Sequence, residues 1–407
     1  MSSKTQKHYG AVSDLRGVVR LIVDAVAGVT GIVEDMHRNI AGVSPIVGRA
    51  PSGGARGISG LAYRSVRGVT RAVGFGLDAV LAQAAPLFAG GGLSPRREAV
   101  LAALNGVLGD HLAASDSPLA IPIQFRRNGR PLALDRQALA ADTAHPAGNK
   151  LLVLVHGLCM NDLQWKRQGR DHGAALARDL GYSPIYLHYN SGRHISSNGR
   201  EFAELMERLL REWPAPVSEL VIVGHSMGGL VSRSACHYAR QTRQTWPRRL
   251  KKLVFLGTPH HGAPLERAGS WVDILFAISP YTAPFARLGR IRSAGIKDLR
   301  YGNVLDEDWK GRGRAHAHDP RKRLPLPKGV QCLAIAATRQ AHPGAQGKRL
   351  PGDGLVPVKS ALGQHDNPAL ALPIPASRQV ICYGHGHLDL LGSVEVYEQL
   401  RNWLAEG

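Results

Sequence analysis

The chain has 407 residues, 44% of them hydrophobic and 20% charged, with a formal net charge of +20 at pH 7. That length suffices for one large α/β domain with an appendage or for two domains, and the composition excludes a chain disordered throughout. The basic excess favours an anionic partner, such as a phospholipid surface, a nucleic acid or an acidic polymer. The four cysteines, Cys159, Cys236, Cys332 and Cys382, lie far apart in apolar contexts without metal-ligand spacing. They read as reduced thiols and point to a cytoplasmic setting. No secretory signal and no uninterrupted apolar stretch of about 18 residues is evident, so membrane contact is expected to be peripheral.

Residues 11–39 carry a helical stripe of Leu15, Val18, Val19, Ile22, Val26, Val29 and Val33. A Gly/Pro/Ser-rich stretch at 42–57 breaks it, and residues 58–85 resume it with Arg64, Arg67 and Arg71 on one face. Such a basic amphipathic helix suits a lipid headgroup layer, or else packs on the domain that follows with its arginines in water. Ser94 as N-cap and Pro95 at the first helical position open a further helix to about Ala114. We therefore divide the chain into an N-terminal, basic, helical region, 1–115, and a second domain, 116–407.

From about residue 119 strands and helices alternate. Segments 121–125 and 131–134 flank Asn128-Gly129, a hairpin signal. Apolar runs at 151–155, 184–188, 220–223, 253–256, 330–337 and 380–383 suit buried parallel strands. Helical segments fall at about 171–180, 197–212, 228–243 and 389–405. The fold class expected is α/β, a mainly parallel sheet covered by helices on both faces. Residues 263–328 form a long Pro-, Gly- and Arg-rich insertion, which reads as a lid.

Gly224-His225-Ser226-Met227-Gly228 is a G-x-S-x-G pentapeptide between a strand and a small-residue helix, the context a nucleophile elbow requires. A serine hydroxyl needs a base to take its proton and an acid to orient that base, and in this fold they follow the serine in the order acid, then histidine. Asp353, between two glycines on a loop after a strand, is the candidate acid; Asp306 and Asp308 lie inside the insertion and are weaker. His385 and His387 compete as base, and we prefer His387 because it abuts the last helix. Asp389 is read as a cap of that helix. For the oxyanion hole the amides of Met227, after the nucleophile, and Leu158, in the loop His156-Gly157-Leu158-Cys159-Met160, are the candidates. His156 itself is read as stabilising that loop.

The catalytic part resembles the lipase/esterase branch of the α/β-hydrolases, especially bacterial lipase-like proteins and the GPI inositol-deacylase-like group. The matching stretches are Val155-His156-Gly157-Leu158, Gly224 to Gly229, Leu256-Gly257-Thr258-Pro259-His260-His261-Gly262, Gly352-Asp353-Gly354-Leu355-Val356-Pro357 and His387-Leu388-Asp389-Leu390-Leu391, in that order. The resemblance implies ester hydrolysis with no cofactor and a triad of Ser226, Asp353 and His387. It also implies that the Thr258 to Gly262 stretch shapes the rim of the site, although paired histidines admit zinc. Some secreted lipases of this kind hold a structural calcium ion; no carboxylate cluster flanks Asp353, so that ion is not carried over, and no metal site is expected. His316-Ala317-His318-Asp319 reads as an exposed loop in an arginine-rich surround that would repel a cation.

The function expected is therefore a serine carboxylic ester hydrolase acting on lipid-like or otherwise apolar esters, with an anionic membrane or lipid surface as a partner for the basic helices. An acyltransferase or polyester depolymerase would use the same triad, and a non-catalytic lipid-binding scaffold would keep the fold. Nucleic acid is disfavoured, because no binding motif is present and aromatic residues make up only 6% of the chain.

Overall fold

The computed structural model describes residues 94–263, 293–310, 324–343 and 351–406. The two amphipathic segments expected at 11–39 and 58–85, most of the insertion and His316 to Asp319 lie outside the described residues.

An eight-stranded sheet organises the chain. In chain order its strands are β1 Gln124–Arg127, β2 Arg130–Pro131, β3 Lys150–Val155, β4 Ser183–His188, β5 Glu219–His225, β6 Leu250–Leu256, β7 Gln331–Thr338 and β8 Gln379–Tyr383. Their spatial order is β2-β1-β4-β3-β5-β6-β7-β8. The β1–β2 hairpin is antiparallel and β1 joins β4 antiparallel, whereas every pairing from β4 through β8 is parallel. The central strands are apolar along most of their length because both faces are covered, as a parallel sheet requires. Leu151 to Val155, Leu220 to Ile222 and Leu253 to Leu256 have no solvent exposure.

The helices are α1 Pro95–Ala114, α2 Arg136–Ala141, α3 His172–Leu180, α4 Ile195–Glu212, α5 Met227–Gln241, α6 Ala294–Tyr301, α7 Val358–Ala361 and α8 Val394–Ala405. The helix signalled by Ser94 and Pro95 forms as expected, with the Ser94 hydroxyl accepting from the Arg97 amide at 3.2 Å. α1 is buried on nearly all sides. Ser293 Oγ donates to the Gly106 carbonyl at 2.7 Å and the Ala294 amide donates to Asp110 at 2.8 Å, so α1 is tied to the start of α6. Asn190 Nδ2 donates to the Gly109 carbonyl at 2.8 Å, binding α1 to the loop after β4 as well. α6 lies inside the expected insertion, and Ser234 of α5 donates to the carbonyl of Val304 just after it at 2.8 Å. This portion of the insertion therefore belongs to the body of the fold.

Local boundaries differ from the sequence reading in two places. The strand expected at 121–125 begins at Gln124, because the Ile121 amide is taken by the Asn105 side chain of α1 at 2.9 Å and cannot join a ladder. The last helix starts at Val394 with Ser393, not Asp389, as its cap: Ser393 Oγ accepts from the Val396 amide. Asp389 instead accepts from the Gly386 amide at 2.8 Å and opens a separate 3-10 turn, Asp389–Leu391. The four cysteines are free and buried. Among the described residues no helix is long and apolar enough to cross a membrane.

Candidate active site

Ser226, Asp353, His387 and Leu158 lie in loops that follow the carboxyl ends of parallel strands, where open α/β sheets form their crevices. Asp306 and Asp308 sit instead in a 3-10 turn of the insertion, Asp306 bonded to Arg200 and Lys310 and Asp308 to the amides of Val304 and Leu305. Ser226 follows β5, Asp353 lies in the loop after β7, His387 follows β8, and the 156–160 loop follows β3.

Ser226 has φ 53° and ψ −123°, a backbone conformation that a residue with a side chain adopts only at a cost of about 1–3 kcal/mol. The glycines around it are required by crowding: a methyl group on Gly224 would lie 2.6 Å from the Gly229 Cα, and one on Gly228 only 2.1 Å from the Val155 carbonyl oxygen. The chain can therefore turn sharply from β5 into α5 and hold the serine at the helix N-terminus. Ser226 is 5% exposed, so its side chain is at the edge of solvent access. Its amide donates to the Leu256 carbonyl at 2.8 Å, which fastens the elbow to the end of β6.

Asp353 has no exposure. One carboxylate oxygen accepts from the amides of Leu355 and Val356 at 2.9 and 2.8 Å, and the other accepts from His387 Nδ1 at 2.7 Å. The His387 amide also donates to the Asp353 carbonyl at 3.2 Å. With Nδ1 bearing the proton, Nε2 of His387 is left as the basic atom. The imidazole packs against the chain next to the elbow: a methyl group on Gly257 would lie 3.2 Å from its Cε1. The ring centroid of His225 is 4.8 Å from that of His387.

His385, the competing base, is turned away from this arrangement. Its Nδ1 is 2.6 Å from the Tyr383 carbonyl and its Nε2 is 3.0 Å from the Ser393 hydroxyl, so both ring nitrogens are engaged.

The loop after β3 lies over the serine, where a methyl group on Gly157 would come within 3.1 Å of Ser226 Cβ. His156 is fully buried, stacks on Tyr189 at 4.3 Å and bonds the Gly157 carbonyl through Nδ1 at 2.8 Å, in keeping with a loop-stabilising role. Burial pushes its pKa down to about 4, so the ring is neutral at physiological pH. Cys159 takes a left-handed φ of 57° and its amide donates to Ser191 Oγ at 3.0 Å. The amides of Leu158 and Met227 have no hydrogen-bond partner among the described residues.

The Thr258 to Gly262 stretch is bolted to its neighbours. The His261 amide bonds Ser360 Oγ at 3.1 Å and its Nε2 donates to the Gly363 carbonyl at 3.1 Å, while His260 lies against Arg233 and Phe255. Among the described residues no group of three or more His, Cys, Asp and Glu is arranged to hold a metal ion.

One contributor was not singled out in the sequence. His225 is fully buried, and its Nε2 donates to the His387 carbonyl at 3.2 Å. Burial, reinforced by the neighbouring His387, holds its pKa well below the ordinary imidazole range. Its place immediately before the nucleophile was the only available signal.

The sheet order, the parallel pairings from β4 to β8 and the elbow after β5 are those of an α/β-hydrolase fold. The model of the PGAP1-like alpha/beta domain matches residues 147–311. Solved structures similar to it include a mature lipase of Bacillus licheniformis, 18% identical, covering 64% of this chain and 93% of that one with a TM-score of 0.40. An Aspergillus fumigatus lipase B is 12% identical, covering 68% and 59% of the two chains at a TM-score of 0.39. A Pyrococcus furiosus esterase is 15% identical, covering 64% and 81% at a TM-score of 0.37. No curated protein matches the sequence significantly.

Proposed function

We propose that the protein is a serine ester hydrolase of the lipase/esterase type, acting through an acyl-enzyme on Ser226. The observation that carries this reading is the bond of 2.7 Å between His387 Nδ1 and a carboxylate oxygen of Asp353, fully buried beside a strained serine elbow. In this reading His387 Nε2 takes the hydroxyl proton as Ser226 Oγ attacks the ester carbonyl. The negative charge of the tetrahedral intermediate is received by the amides of Leu158 and Met227, which supports assigning these two as the oxyanion hole. The proton then passes from His387 to the departing alcohol, and a water deprotonated by the same ring releases the carboxylic acid and restores Ser226. The buried Asp353 holds the imidazole in the tautomer this cycle needs. The lipase/esterase-like motifs of the sequence point to an apolar acyl chain.

A series of nitrophenyl esters of increasing acyl length tests the assignment. Turnover that depends on Ser226 and improves from acetate towards longer chains supports it. Turnover that survives in a Ser226→Ala variant, or that falls steadily with chain length, rejects the nucleophile or the apolar preference respectively.

A further inference from the structure

The pole of the sheet opposite Ser226 holds a cavity of about 750 Å3, walled by the end of α4, the segment leading into β5 and the turn leading into β6. Val217 and Arg249 stand just before the first residues of β5 and β6, whereas Ser226 follows the last residue of β5. β5 has seven residues, and at about 3.3 Å per residue the two places are roughly 20 Å apart.

Four guanidinium groups, those of Arg136, Arg211, Arg248 and Arg249, line this cavity, with Glu207 the one carboxylate among the lining residues. Glu207 is already saturated: it accepts from the Thr245 amide at 2.8 Å, the Thr245 hydroxyl at 2.7 Å and the Trp246 amide at 3.0 Å. Its single charge, which feels Arg211, offsets at most one of the four guanidiniums. Arg211 Nε lies 3.1 Å from Glu212 and Arg136 donates to the Pro214 carbonyl at 3.3 Å. Arg248 and Arg249 have no side-chain partner among the described residues. One wall is the indole of Trp213, 2% exposed and fixed by a bond from Nε1 to the Gly148 carbonyl at 2.9 Å. An apolar wall, a volume in the range of small-ligand pockets and four lining guanidiniums, all on exposed residues, together suit a compact, multiply charged anion. Guanidinium forks match the oxygens of a phosphate, and an anion among them would offset their mutual repulsion.

We propose that this cavity binds a phosphate group, remote from the hydrolytic centre. The inference does not rest on the hydrolase reading. It gives the net charge of +20 a specific anion-binding place.

The test uses the full chain in two arms at constant ionic strength. Calorimetric titration with inorganic phosphate examines a soluble source. Sedimentation with phosphatidylcholine vesicles, with and without phosphatidic acid, examines a lipid headgroup. Saturable binding in the first arm assigns a soluble phosphate ligand. Binding confined to phosphatidic acid vesicles assigns a headgroup. In either case the double substitution Arg248→Gln, Arg249→Gln weakens binding about tenfold or more, with hydrolysis of a small soluble ester unchanged. The exposed Arg136→Gln, on another wall, weakens it severalfold and serves if the double variant does not fold. Binding that is equal in the wild type and these variants, or absent from both arms, overturns the proposal.

Discussion

His225 and His387 are joined across 162 positions of sequence: Nε2 of the first donates to the backbone carbonyl of the second at 3.2 Å. The residue beside Ser226 thereby holds the loop that carries His387. The bond fixes the His225 proton on Nε2, and burial keeps the ring neutral, so in the proposed mechanism it would position His387 and not act as a second base.

Replacing His225 by Ala should lower kcat by about 10- to 100-fold while leaving KM nearly unchanged, since ground-state binding is untouched. His225→Gln, which retains a donor of similar reach, should recover part of the loss. The limbs of the pH–rate profile should not move, because His225 does not titrate in the working range. A shifted limb in His225→Gln would mean that this ring exchanges protons during turnover.

The two loop histidines should separate cleanly. His387→Ala and Asp353→Asn should each cost several orders of magnitude in kcat on a nitrophenyl ester, the second because it disturbs the tautomer and orientation of the imidazole. His385→Ala should cost less than about tenfold, since both its ring nitrogens are engaged with Tyr383 and Ser393. Comparable losses in the two histidine variants would contradict the assignment.

The elbow at Ser226 is strained. At φ 53° and ψ −123°, Ser226→Gly should lose activity yet gain roughly 1 kcal/mol of stability in urea unfolding, because glycine meets no side-chain penalty there. A clear loss of stability would show that the backbone is not strained at this position.

Stability should fall in mild acid. Burial depresses the pKa values of His156, His172, His188, His225 and His260, that of His156 to about 4. The unfolded chain, with ordinary imidazoles near 6.5, then binds more protons than the folded one below that pH. Unfolding free energy is therefore flat with respect to these groups above pH 7. It drops below 6.5 by up to about 1.4 kcal/mol per pH unit for each histidine. Asp162, whose pKa burial raises, opposes this with a single group. Urea unfolding followed between pH 7.5 and about 5 measures the slope, and a flat profile would contradict the burial argument.

Helix α1 extends the hydrolase unit towards the N-terminus. Val100, Leu101, Leu104, Val107, Leu108 and Leu112 are all buried, and at about 1.5–3 kcal/mol each they contribute on the order of 10 kcal/mol. That rivals the whole stability of a typical domain, about 5–15 kcal/mol. A chain starting at Ser94 should fold and one starting at residue 116 should not, as read by circular dichroism and a cooperative melt.

The parts of this molecule that were legible in sequence are those where one local pattern has one physical meaning. The apolar runs of β3 to β8 fit only a sheet covered on both faces, the Ser94-Pro95 pair marks a helix start, and the crowded glycines around Ser226 announce a sharp turn. Asp353 and His387 could be ranked because the order of a triad is restricted, whereas the different bonding of the His385 and His387 rings depends on partners that sequence does not reveal. What was not legible depended on partners distant in sequence. Asn105 caps the approach to β1 from α1, and Arg126 pairs with Glu98 at 2.5 Å in a buried ion pair bridging 28 positions. Ser393 displaced Asp389 as a cap because Gly386 offered that carboxylate a nearer amide. The arginine cavity assembles from residues 136 to 249, none of which forms a run that stands out.

The most direct measurement is the site of attachment of a fluorophosphonate, which reacts with an activated serine and remains bound to it. The account predicts stoichiometric labelling of the wild-type chain, found by mass spectrometry on the peptide containing Ser226, and its loss in both Ser226→Ala and His387→Ala. Labelling of another serine, or equal labelling of the Ser226→Ala chain, would contradict it.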